Sequence, residues 1–272
     1  MLRRTWLLLV LPVLFALIAV PAPAADVKKK LLLIGCPPDS HPPTTHEYVA
    51  GMKLLKKLLD KVDGLEVTEV EAVGAWKEGP ELIERADGVV LFVTEGAKWI
   101  QADPNRLKAL AKVAQRKGGL STLHWGMGTR EAAPIADFVK LFGGCHGGPD
   151  RKYVVIETDF EPEAKHPIAA GIKPIKVKDE FYYKLKFAQP DGSIQPVLRA
   201  NIDGAKETVA WAWDRPEGGR SFGFSGLHFH DNWKLPEYRR LVAQGVLWSL
   251  GLPIPKDGLA VDVTEADLQL KR

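Results

Sequence analysis

Two segments of this chain, residues 31–35 and 88–93, are apolar without interruption for about the length of one strand. A strand with one face in water alternates polar and apolar side chains, whereas one covered on both faces does not, so these runs belong to a parallel sheet lying between helices. The intervening pattern agrees. Residues 45–59 place Tyr48, Met52, Leu55 and Leu59 at helical spacing, with Thr44 or Thr45 as the expected N-cap. Residues 65–70 alternate like a second strand. Asp103-Pro104 opens a helix running to Arg116, with the acid at the cap and proline in the first turn. Gly118-Gly119 ends that helix, and residues 120–123 form a fourth strand. Strand–helix alternation of this kind predicts a doubly wound, mostly parallel α/β sheet with right-handed crossovers.

The second half reads differently. Short β-like runs at residues 153–157, 181–187, 208–213 and 221–224 are separated by the turn signals Asp191-Gly192, Asp203-Gly204 and Gly218-Gly219. They predict antiparallel strands added to the sheet, with Trp211 and Trp213 on one side as core. A closing helix, residues 236–250, turns Leu241, Val242, Val246 and Trp248 inward. One domain over residues 26–253 follows, with residues 254–272 expected as a loose tail.

Residues 1–25 carry Arg3 and Arg4, an apolar stretch at 6–20 and the small residues Ala22-Pro23-Ala24. They predict a cleaved signal peptide, a periplasmic or extracellular protein and no stable membrane span after cleavage. The formal charge of +3 falls to about +1 without them, which leaves no electrostatic footprint for nucleic acid. The Leu33-Ile34-Gly35-Cys36 sequence superficially resembles a lipidation box but reads as a strand end. Cys36 and Cys145 are the two cysteines; buried thiols are the expectation, a disulfide between them the alternative.

The histidines follow the strands. His46 stands beyond the first run, His124 directly after residues 120–123, and His228 and His230 after residues 221–224. In an open α/β sheet, ligands bind beyond the carboxyl ends of the strands. Imidazole there can ligate a transition metal or move a proton near neutral pH. His46, His124 and His228 are therefore candidate ligands of a divalent metal, zinc by the preference of imidazole donors, with a metal-free polar pocket as the alternative. His230 could share the face of His228 only in a regular strand.

Thr122-Leu123-His124-Trp125-Gly126 is a strand entering a sharp turn, of the kind that lifts one side chain above a sheet. It resembles the turn of class I glutamine amidotransferases, which carry Cys at the apex and a His-x-Glu pair after a later strand. Here the apex is His124 and the pair reads His228-Phe229-His230, so thioester glutaminase chemistry is excluded. With Thr45-His46-Glu47, residues 119–126, residues 178–182, residues 208–213 and residues 219–228 in this order, the chain resembles the ThuA-like, trehalose-utilisation family. The resemblance implies an amidotransferase-like (flavodoxin-like) fold, a sugar-related role and a metal held by histidines at the sheet end.

Other residues add to this site. Glu180, beside Asp179, is the candidate acid–base group, and Glu95, after the third strand, a second acid candidate. His124 counts as catalytic as well as metal-ligating. Trp125, Tyr182, Trp233, His146 and His230 are candidate substrate contacts, His146 being alternatively an incidental residue of a glycine-rich loop. His41 could join them. The expected function is metal-assisted lyase, isomerase or hydrolase chemistry on a small carbohydrate or oxidised sugar. A non-catalytic carbohydrate-binding or envelope interaction protein is the competing class.

Overall fold

The computed structural model describes residues 28–163, 165–190 and 193–270. The proposed signal peptide lies outside the described residues. The elements run β1 (Lys29–Gly35), α1 (Tyr48–Leu59), β2 (Leu65–Glu71), α2 (Gly79–Arg85), β3 (Gly88–Phe92), α3 (Gly96–Gln101), α4 (Pro104–Gln115), β4 (Gly119–Leu123), β5 (Gly128–Thr129), α5 (Ile135–Phe142) and β6 (Gly144–Gly147). Then come β7 (Lys152–Pro162), β8 (Ile175–Tyr183), β9 (Lys186–Phe187), β10 (Gln195–Ile202), β11 (Ala205–Asp214), β12 (Arg220–Phe224), α6 (Pro236–Ser249) and α7 (Glu265–Leu268). Nine strands form one sheet in the order β2-β1-β3-β4-β12-β11-β10-β7-β8.

The first five strands in that order are parallel. From β11 onward each neighbour is antiparallel. The parallel half owes its form to the uninterrupted runs: every residue of β3 is buried, and so is 31–35 of β1. The chain therefore has the mixed α/β fold expected, with added antiparallel strands. One short run has a double role, because β12 pairs with β4 in parallel and with β11 in antiparallel fashion. That return beside β4 is what delivers His228 to the same sheet end as His124.

Asp103 caps α4 as expected, its side chain accepting from the Asn105 amide. At α1 the expectation fails. The helix begins at Tyr48, its N-cap is Glu47 without a side-chain bond, and Thr44 and His46 have positive φ. Residues 44–47 form a tight turn instead, closed by the Thr44 amide donating to Glu47 Oε1. Trp211 and Trp213 are buried together against the turn after α5, where the Trp211 indole donates to the carbonyl of Phe142. Cys36 and Cys145 are both free and buried.

Residues 254–270 are not a loose tail but are held to α1 and α6. Val261 is buried, and Arg239 and Arg240 of α6 donate to the carbonyls of Val261 and Leu259. Asp267 pairs with Lys57 of α1. Among the described residues no helix is long and apolar enough to cross a membrane.

Candidate metal and acid–base centre

Four turns at the carboxyl end of the parallel strands hold a non-glycine residue in the left-handed region: His46, Glu95, His124 and Leu227, with φ of 52°, 43°, 44° and 79°. Such conformations cost on the order of 1–3 kcal/mol each and persist only where surrounding structure enforces them. Their grouping at one end makes that end the candidate site. Here the turns after β3 and β4 touch backbone to backbone. A Cβ on Gly96 would stand 1.9 Å from the carbonyl oxygen of Gly126, so only glycine allows the approach.

The loops after β1 and β12 are laced to each other. Thr45 bridges Phe229, the His46 amide donates to the carbonyl of His228 at 3.0 Å, and that of His230 donates to Thr44 at 2.8 Å. Asp179 on β8 fixes the second loop from beneath. Its carboxylate accepts the amides of Leu227 at 2.7 Å and His228 at 3.1 Å and the Tyr238 hydroxyl at 3.1 Å. Burial pushes its carboxyl up to about 6 against the pull of those donors.

Three imidazoles meet above the sheet. His46 Nε2 lies 3.0 Å from His228 Nδ1 and 3.1 Å from His124 Nε2, and the last two are 3.3 Å apart. Glu180 Oε1 is 3.6 Å from His228 Nδ1 and 3.9 Å from His124 Nε2. The orientation of two rings follows from their outer partners. His124 Nδ1 donates to the carbonyl of Ser225 at 2.6 Å, which leaves Nε2 as a lone pair. His46 Nδ1 donates to the Tyr48 hydroxyl at 2.7 Å, which in turn donates to Asp39 at 2.6 Å. Asp39 also receives Thr94 and His41, and these bonds outweigh its burial and hold its carboxyl well below the usual range. A carboxylate behind a histidine is the arrangement that aims imidazoles at metals.

Burial lowers the pKa of all three histidines, that of His228 to about 4. They are neutral at pH 7, which is the ligating form. Two imidazole nitrogens on one tetrahedral zinc at about 2.0–2.1 Å stand roughly 3.3 Å apart, close to the separations seen. Donor chemistry, protonation and spacing thus fit a divalent ion held by His46, His124 and His228 with Glu180 alongside.

Beside this cluster lies a cavity of about 100 Å³ lined in part by Trp125, His146, Glu180 and Tyr182. Tyr182 is stacked between His124 and His146, with ring centroids 4.5 and 3.8 Å away, and its hydroxyl is 3.1 Å from His124 Nε2. His146 is thus a cavity residue rather than an incidental loop residue. His41 lines the cavity as well, stacked on His46.

Three expected residues stand elsewhere. His230 begins a 3-10 turn that swings it away from His228, and its Nε2 faces the carbonyl of Leu268 at 3.2 Å. Trp233 is core, packed on Gly51 of α1. Glu95 binds Arg130, through both the guanidinium and the backbone amide, and not the histidines. Asp39 and the role of Asp179 are not legible in the sequence pattern: Asp179 is signalled only by adjoining Glu180, and Asp39 sits in a proline-rich loop with no pattern to betray it.

Residues 41–249 match the family model described as ThuA, trehalose utilisation. In structure the chain is similar to a ThuA-like protein from Bacteroides uniformis (TM-score 0.62, 13% identity, 85% of this chain and 95% of that one). It is also similar to Gan42B, a GH42 β-galactosidase (TM-score 0.52, 10% identity, 83% and 30%). The glutaminase domain of Trypanosoma brucei CTPS aligns at TM-score 0.44 and 11% identity over 85% of this chain and 98% of that one. No curated protein matches in sequence.

Proposed function

Because this chain belongs to the ThuA, trehalose-utilisation family, we propose that it is an exported enzyme acting on a carbohydrate derivative by metal-assisted proton transfer. The observation that carries this reading is the convergence of three neutral imidazoles and one carboxyl at a buried point beside a cavity. A bound zinc ion would act there as a Lewis acid on a carbonyl oxygen of an oxidised sugar.

Glu180 supplies the proton chemistry. Burial, with the neighbouring Asp179 charge, pushes its carboxyl up to about 7. A divalent ion beside it would favour the carboxylate, the form that takes a proton from the substrate before giving it back. Lyase, isomerase and hydrolase reactions on such a sugar all need that exchange. Tyr182, stacked on the His124 ring, forms with Trp125 and His146 an aromatic wall of the cavity beside the acid. Export rests on the pattern of residues 1–25 and places the enzyme in the periplasm or outside the cell.

The test is metal content of protein purified without chelator or polyhistidine tag, beside His124→Ala, with turnover of oxidised sugars by the wild type and Glu180→Gln. Near-stoichiometric metal, lost in His124→Ala, and turnover lost in a Glu180→Gln protein that keeps its metal are expected. No metal after reconstitution with zinc would overturn the metal centre. Metal without turnover of any sugar would turn the reading towards carbohydrate binding.

A further inference from the structure

The cavity beside the histidines carries positive charge that the acid–base centre does not use. Its lining includes two guanidinium groups, Arg130 and Arg151. Arg130 is neutralised by Glu95 and lies over the Trp125 ring, 5.2 Å from its centroid. Arg151 has no such partner. Among the described residues its guanidinium makes one hydrogen bond, to the carbonyl of Gly148 at 3.3 Å, and no salt bridge. A guanidinium has five N–H donors, so most of this fork faces no protein acceptor. Trp125, 4% exposed and on the same lining, adds an indole N–H buried without a partner.

An apolar face adjoins these donors. Among the described residues, Tyr153 and Val155 are two of the few large apolar side chains left in solvent, 57% and 45% exposed. On β7 they stand opposite Tyr182 and Glu180 of β8, so all four share one face of the hairpin. Tyr153 itself lines the cavity, edge-on to His146.

Building on the carbohydrate reading above, we propose that Arg151 is a specificity residue and that the substrate is a sugar acid. Its carboxylate would sit on the Arg151 fork and its ring against Tyr153. One unmatched cation suits a monoanion, and a planar carboxylate meets the fork with two parallel hydrogen bonds.

Calorimetric titration of the purified protein with D-glucuronate, D-glucose and inorganic phosphate tests this. Wild type should bind glucuronate at least tenfold more tightly than glucose, and only the glucuronate affinity should fall with salt. Arg151→Met should bring glucuronate to the level of glucose, while Arg151→Lys should retain part of the preference. Equal binding of the two sugars by the wild type overturns the carboxylate assignment and leaves the carbohydrate reading standing; this comparison needs no variant. Phosphate binding that depends on Arg151, with neither sugar bound, overturns the sugar acid and the carbohydrate reading together. Binding of none of the three overturns the proposal as well.

Discussion

His146 shows how one side chain can serve the site while making the fold sensitive to acid. Its ring is 2% exposed and stacks on Tyr182 at an interplanar angle of 8°. Burial, reinforced by the charges of Arg151 and Lys186, lowers its pKa to about 3. In the unfolded chain it titrates near the ordinary value of about 6.5. Between those two values the unfolded state holds a proton that the native state refuses, so stability is full above pH 6.5 and is lost as pH falls towards 3. His146→Phe keeps the stacked ring and removes the titration. The stability of this variant relative to wild type should be constant above pH 7. Below pH 6.5 it should rise by up to about 1.4 kcal/mol per pH unit, read as urea midpoints at a series of pH values. A relative stability independent of pH would refute this account. Tyr182, between His146 and His124, is why the position matters to the reaction: a shifted stack would move the hydroxyl that touches His124.

At the scale of elements, the parallel half was legible because burial on both faces leaves a mark in residue type. The runs that became β1 and β3 could form little else. The placement of His46, His124 and His228 at one end was legible for the same reason, since the strands fix where the loops emerge. The turns themselves were not. Thr44 and Thr45 look like helix caps, yet the pairing of this loop with Phe229 holds them as a turn, a long-range bond that no local pattern encodes. The divergence of His228 and His230 has the same origin. The C-terminal segment is a third case. Residues 252–270 lack periodicity because they are held by their backbone: Arg239 reaches Val261 at 2.8 Å, Arg240 reaches Leu259 at 3.0 Å, and the Leu259 amide reaches Gln244 at 2.7 Å. Ending the chain after residue 253 would strand those α6 side chains and uncover the face beneath Val261. The loss should be roughly 2–4 kcal/mol, summing charge-assisted bonds and one buried valine. It should appear as a lower urea midpoint, and an unchanged midpoint would show that the segment is dispensable.

The whole molecule brings these scales together, because the candidate ligands come from far apart in the chain. His46 and His228 are 182 positions apart, and His124 comes from a strand between theirs in the sheet. A metal joining them would close very long loops, the case in which a cross-link restricts the unfolded chain most. Without the ion, His46 Nε2 and His124 Nε2 face each other as lone pairs at 3.1 Å and depend on donors from His228 and Tyr182. Metal affinity and global stability should therefore move together. Native-state binding adds about 2.7 kcal/mol at a free ligand concentration a hundred times Kd. For a domain of this size that corresponds to a rise in Tm of roughly 5–10 °C. Zinc added to chelator-treated protein should produce this rise, and excess chelator should reverse it. In His124→Ala the midpoint should no longer respond, although the cavity left by the lost imidazole can change its starting value. A wild-type midpoint indifferent to zinc, manganese and other divalent ions alike would mean that the three imidazoles hold one another through shared protons, with His228 Nδ1–H given to His46 and the Tyr182 hydroxyl to His124. The centre would then work through Glu180 alone, and the metal would leave the account of both fold and reaction.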